Sequence, residues 1–257
     1  MLLQDVDAGV ASRADHVRIG AVDLLRLNRE SAIGYIRSAV LLGRPIDIAI
    51  CNAHTILSAL DDADYAAALR KMTLINDGIG VNLASKYLHG YGFPDNLNGT
   101  DLIPAVLAEV GVPLRIYLLG ARENEVQRAR KHIEALYPLH TVVGARNGYF
   151  SDPDIPSVCD EISNAKADLL LVAMGNPRQE KFIVENRALI NSTVAIGVGA
   201  LFDFMSGSVV RAPQVVQALG LEWLFRLVQE PRRLFKRYVV GIPRFMLAVH
   251  RQKRGEA

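Results

Sequence analysis

Short apolar runs, each ending in a glycine- or amide-bearing loop, constrain this chain more than any other feature. They are IDIAICNA at residues 46–53, MTLIND at 72–77, LRIYLLGA at 114–121, ADLLLVAMG at 167–175 and TVAIGVGA at 193–200, with HTVVGARNGYF as a further candidate. Longer stretches of helical pattern separate them, notably residues 54–70, 81–88 and RENEVQRARKHIEAL at 122–136. Buried strands alternating with helices define βαβ units. The expectation is an α/β fold: a Rossmann-like, mainly parallel sheet with helices on both faces. With 257 residues, half of them hydrophobic, the chain can bury a large core.

In such sheets ligands meet the loops beyond the carboxyl ends of the strands. Cys51–His54, Asn76–Gly80, Gly120–Arg122, Met174–Glu180 and Gly197–Asp203 all occupy that place, so they are candidates to converge. Asp77 is the first candidate for catalysis, since a carboxylate at a strand end can accept a proton from a nucleophilic hydroxyl. It can equally cap the following helix or order the Gly78–Gly80 turn. DGIGVNLAS departs from G-x-G-x-x-G at its last glycine and no G-x-x-x-x-G-K-[ST] occurs, which weakens a dinucleotide or P-loop reading.

Asn52 offers an amide to a polar substrate, and Cys51-x-x-His54 lacks the second pair that a structural zinc needs. In MGNPRQEK, Gly175 permits close approach, Asn176 and Gln179 supply amides, and Arg178 can meet negative oxygens. Asp203 can bind ligand hydroxyls or hold Arg211. Gly99 and Asp101 can close a pocket or simply begin a helix.

Charge divides the chain unevenly. Residues 211–257 hold ten Lys/Arg against three Glu, a balance of +7, and since the whole chain is +2, residues 1–210 carry −5. A body over 1–210 and a basic helical appendage over 211–257 follow as the domain expectation, with a helix from Pro213 to Gln229 and a break at Glu230–Pro231. Leu234, Phe235, Tyr238, Val239, Phe245, Met246 and Val249 lie among these cations and suggest an interfacial surface. The amino-terminal segment does not read as a secretory leader, and no stretch reaches about 18 uninterrupted apolar residues. Two isolated cysteines suit a reducing compartment.

Taken together, these residues resemble the WecG/TagA/CpsF family of bacterial glycosyltransferases, with the xanthan-type glucosyltransferases near in pattern. The resemblance is carried in order by Asn52, Asp77–Gly78–Gly80, Gly99 with Asp101, Gly148–Tyr149–Phe150, Met174–Gly175 with Pro177, Gln179 and Glu180, Gly197–Val198–Gly199 with Asp203 and Gly207, Arg211–Ala212–Pro213, and GLEWLFRLVQEPRRLFKRY. It implies inverting, metal-independent transfer from a UDP-sugar, with no cofactor, to a polyprenyl-diphosphate-linked saccharide in surface or exopolysaccharide synthesis.

It implies further that Asp77 is the catalytic base and Gln179 a polar active-site residue. Asn52 matches the first-loop asparagine, while Arg211, Arg232, Arg233 and Arg237 become candidates to meet the diphosphate. The expected place is the cytoplasmic face of the inner membrane, peripherally bound, with a homo-oligomer allowed. Ile50 and Asn96 depart from the threonine and arginine that many relatives carry there. Nucleic-acid binding by the tail, or a different sugar-nucleotide enzyme such as an epimerase or dehydrogenase, stands as the alternative; the negative body weighs against nucleic acid.

Overall fold

The computed structural model describes residues 16–213, 216 and 221–256, with the Arg233 side chain outside that set. Its centre is a six-stranded sheet built from β3 (Ile46–Cys51), β4 (Thr73–Asn76), β5 (Arg115–Gly120), β6 (Thr141–Arg146), β7 (Leu169–Ala173) and β8 (Val194–Gly197). The spatial order is β4-β3-β8-β7-β5-β6, and every neighbouring pair is parallel. Parallel strands need crossovers, and the chain supplies them with helices on both faces.

Alternation along each strand decides which side chain meets which layer. On one face Ala49, Cys51, Tyr117, Leu119, Leu170 and Val172 pack with α2 (Ala53–Asp61), α3 (Ala63–Leu69), α4 (Ile79–His89), α7 (Ile155–Ala165) and α8 (Arg178–Glu185). On the other, Ile48, Ile50, Ile116, Leu118, Leu169 and Leu171 pack with α1 (Arg29–Leu42), α5 (Gly99–Glu109), α6 (Glu123–Leu136) and α9 (Leu201–Met205). The period of two in the strands thus gives each face its own core.

Two departures from the sequence expectation have local causes. The helix expected over 54–70 is two helices, because Asp62 adopts an extended conformation and its carboxylate caps the Tyr65 amide at 2.9 Å. An Asp side chain that competes for backbone donors favours such a restart. The polar start holds an antiparallel hairpin of β1 (His16–Ile19) and β2 (Val22–Leu25), turned at Gly20 with φ +59°. Val17 and Ile19 are buried while His16 and Arg18 face out.

The basic segment continues as α10 (Glu222–Gln229), α11 (Pro231–Phe235), a π-helical turn (Lys236–Val240) and α12 (Gly241–Lys253). Residues 214, 215 and 217–220 of the helix expected from Pro213 to Gln229 lie outside the described residues, and its later part is α10. Leu234, Phe245 and Val249 are buried, so the interfacial surface expected of them is corrected: Leu234 on α11 is covered, and α12 turns Phe245 and Val249 into the body. Phe245 and Val249 join the core beside α2 and α4, and Arg244 pairs with Asp61 at 2.9 Å. Phe235, Val239 and Met246 remain exposed.

Candidate active site

The carboxyl ends of β3, β4, β5, β7 and β8 open into one cleft of about 1520 Å³, closed on one side by α10 to α12. That exceeds the usual span of a single small-ligand pocket, about 300–1,000 Å³, and leaves room for two substrates.

At the β3 and β4 ends, Asn52 and Asp77 form one unit. Asn52 is the N-cap of α2: its Oδ1 accepts from the His54 and Thr55 amides at 3.0 and 3.2 Å. With that oxygen committed, Nδ2 is the end that remains, and it donates to Asp77 Oδ2 at 3.3 Å. The Asp77 amide donates to the Cys51 carbonyl at 2.9 Å, which extends the strand pairing by one residue and fixes the carboxylate at the cleft wall.

Next to it, Gly78 stands at φ +85°, a conformation suited to glycine, and its amide donates to Asn96 Oδ1 at 2.7 Å. Asn96, noted above only as a departure, therefore holds the turn that follows Asp77. Gly80 sits against the Ala53 methyl, closing this corner.

Burial pushes the Asp77 carboxyl above the usual carboxylate range; the Asn52 amide and the Arg237 and Arg226 guanidiniums pull it back, while Asp101 adds to the rise. A half-buried carboxylate with raised proton affinity is suited to taking a proton from a bound hydroxyl.

The loops after β7 and β8 are joined by a single side chain. Gln179 is buried, and its Oε1 accepts from the Gly175 and Gly199 amides, each at 3.1 Å, while its Nε2 donates to Glu180 Oε1 at 2.7 Å. Both ends of the Gln179 amide are thus occupied by protein. Glu180 also accepts from Asn176 Nδ2 at 2.7 Å and the Tyr65 hydroxyl at 3.1 Å. Burial raises the Glu180 carboxyl, opposed by these donors. The Asn176–Pro177 peptide bond is cis.

Arg178 donates to the Phe150 carbonyl at 2.9 Å and lies over its ring at 5.2 Å, so it tethers the 148–150 loop at the cleft edge. Gly148 makes that loop's close approach possible, since a Cβ there would lie 2.9 Å from the Gly120 Cα. Tyr149 beside it is exposed. Asp203 lines the cleft from α9.

Of the basic residues singled out in the tail, Arg237 lines the cleft with its guanidinium over the Tyr238 ring at 5.7 Å. Burial and Arg237 together lower the basicity of His54. Arg211 and Asp101 form an ion pair beyond the lining, and Arg211 also lies 3.7 Å from Glu222. Arg232 is exposed and away from the lining, and the Arg233 side chain lies outside the described residues.

Residues missed in the sequence fill this wall. Arg226 stacks over Phe204 at 5.1 Å, and its Nε is buried without a hydrogen-bond acceptor among the described residues. Glu222, raised by burial, and Trp223, packed edge-on to Tyr238 at 5.9 Å, complete the cleft-facing side. Trp223, Arg226 and Glu230 follow helical i, i+3, i+7 spacing, a signal present in the sequence that marks one face. Among the described residues no group of three or more His, Cys, Asp or Glu is arranged to hold a metal ion. Cys51 is buried, its thiol pushed well up by burial, Glu180 and Asp77.

A model of the glycosyl transferase WecG/TagA/CpsF family matches residues 17–257. The chain is 34% identical over 211 residues to an N-acetylglucosaminyldiphosphoundecaprenol N-acetyl-beta-D-mannosaminyltransferase of Bacillus subtilis (strain 168), spanning 81% of this chain and 80% of that protein. It is 32% identical over 212 residues to a protein of the same description from Bacillus spizizenii, spanning 82% and 80%.

Proposed function

From the premise that this chain belongs to the WecG/TagA/CpsF family of glycosyltransferases, we propose that it moves a sugar from a UDP-sugar to a saccharide carried on a polyprenyl diphosphate. The relatives' described acceptor, a sugar on diphosphoundecaprenol, supports that class of acceptor. The observation that carries the reading is one cleft that sets the Asn52-held Asp77 carboxylate against Arg226 and Arg237.

In the proposed reaction Asp77 takes the proton from an acceptor hydroxyl as that oxygen attacks the anomeric carbon. The new C–O bond forms on the face opposite the nucleotide while the bond to the UDP oxygen breaks, inverting the configuration. Negative charge grows on the departing diphosphate, where preorganised cations stabilise the transition state more than the ground state. Arg226 and Arg237 supply those cations. Arg226 suits the role because its buried Nε holds a donor with no acceptor among the described residues.

Asn52 orients the base and has no second free end. Gln179 acts as a positioning residue, since its amide already joins Gly175, Gly199 and Glu180. Arg211 holds Asp101 at the rim, and Arg178 holds the loop at Phe150. Asn176, Asp203, Gly78 and Gly175 line the space left for sugars and phosphates. No helix among the described residues is long and apolar enough to cross a membrane, and the reading places the protein peripherally at the inner membrane, in envelope or exopolysaccharide synthesis.

Purified protein offered a panel of UDP-sugars with lipid-diphosphate saccharides should form one product of inverted anomeric configuration, read by NMR. Asp77→Asn should retain fold and donor binding while turnover drops about a hundredfold or more. Transfer with retention, no transfer to any lipid-diphosphate acceptor, or near-normal turnover by Asp77→Asn would overturn the reading.

A further inference from the structure

The helix that follows Asp77 carries an apolar ridge that the core does not use. Ile79, Leu83 and Tyr87 recur every four residues along α4 and are 49%, 49% and 42% exposed, although the helix has a complete buried face in Val81, Ala84 and Ser85. Spacing of i, i+4, i+8 puts the three on one line. Isolated exposed apolar residues are ordinary; a line of three extended by a neighbouring helix is a surface that something covers.

That neighbour is α12. Met246, 42% exposed, lines the same cleft as Ile79 and Leu83, and one turn on His250 Nδ1 meets the Tyr87 hydroxyl at 2.9 Å. Lys253 lies over the Tyr87 ring at 5.1 Å and donates to the Tyr87 carbonyl. The ridge is therefore apolar along its line and cationic at its edges, with Lys86 on α4 and Lys253 on α12 both exposed. Apolar centres flanked by long cationic side chains fit the boundary of an anionic bilayer, where stems bury and charges reach headgroups.

Position selects the bilayer over other covers. Ile79, Leu83 and Met246 are lining residues of the cleft as well as exposed ones, so apolar side chains stand both at the cleft and towards solvent. We infer that the α4 ridge with Met246 is the face that rests on an anionic lipid surface and lets the hydrocarbon chain of a lipid-linked substrate leave the cleft without crossing water. This rests on the lipid-diphosphate acceptor proposed above. It adds the helix that begins at the catalytic loop to the apolar residues Phe235, Val239 and Met246 that the basic segment leaves exposed.

The test is binding alone, with no substrate. Wild-type protein should co-sediment with vesicles of phosphatidylglycerol and phosphatidylcholine. Ile79→Ser/Leu83→Ser should lower its partition coefficient by at least about tenfold at unchanged thermal stability, since each residue withdraws a buried aliphatic side chain. Leu136→Ser, at an exposed leucine on α6, should bind as wild type. Equal vesicle binding by the double variant, or absent binding by the wild type, overturns the inference. So does a dimer that the double variant splits while vesicle binding is unchanged, which would make the ridge a contact between copies. Vesicle binding reads the surface even if sugar transfer fails, and transfer to a short-chain acceptor reads the reaction even if the surface fails.

Discussion

Two opposed influences act on the Asp77 carboxylate: burial holds its proton on, and the Asn52 amide with Arg237 and Arg226 draws it off. A base must be ionised before it can accept a proton, so kcat/KM in the proposed reaction should fall on the acid side, along a limb above the ordinary carboxylate range. Arg237→Gln removes a cation that favours the ionised form. The limb should then move to higher pH, together with any loss in rate at the plateau, and a pH profile of both proteins measures it. An unmoved limb would mean that Arg237 does not act on Asp77. At this scale the sequence was legible where a residue sits at a strand end, as Asp77 and Asn52 do. Asn96 was visible as a departure but not as the acceptor for Gly78, because that bond joins residues 18 apart across a loop. Arg226 was not legible as a cleft residue, since only the fold of the appendage chooses one arginine there over another.

The strands were the most legible elements, because a parallel sheet covered on both faces must be apolar along its length, and such runs stand out from their polar surroundings. The hairpin β1–β2 was missed: each strand has four residues, and only the alternation of Val17 and Ile19 with His16 and Arg18 betrays it. The β8 end makes a sharper demand. A Cβ at Gly197 would lie 2.7 Å from Gln179 Nε2 and 3.1 Å from Glu180 Oε1, side chains held in place by several buried hydrogen bonds. Gly197→Ala should therefore destabilise the protein by about 1–3 kcal/mol, the usual cost of overpacking. Because the strain falls on the residue joining the 175 and 199 loops, donor binding should weaken as well. Chemical denaturation and a donor titration check the two effects; wild-type values for both would show that Gln179 can shift at little cost.

Across the whole molecule, the charge break at residue 211 marks a change in composition more than a change in packing. α12 delivers Phe245 and Val249 into the core beside α2 and α4, and Gln252 accepts from the Gly20 amide at 2.8 Å, tying the helix to the first hairpin. Sequence periodicity showed an amphipathic basic segment but not its partner, which is the sheet-covering layer itself. Phe245→Ala should cost about 3–5 kcal/mol and lower the melting temperature of the whole chain in a single transition. A separate low-temperature transition, with the body unaffected, would instead mark the appendage as an independent unit.

The same arrangement bears on how the protein is made. Synthesis runs from the amino end, so the loops bearing Asn52 and Asp77 leave the ribosome well before the helices that wall the cleft with Arg226 and Arg237. A chain interrupted before those helices thus holds the carboxylate without its cationic counterpart, and the proposed reaction waits for them.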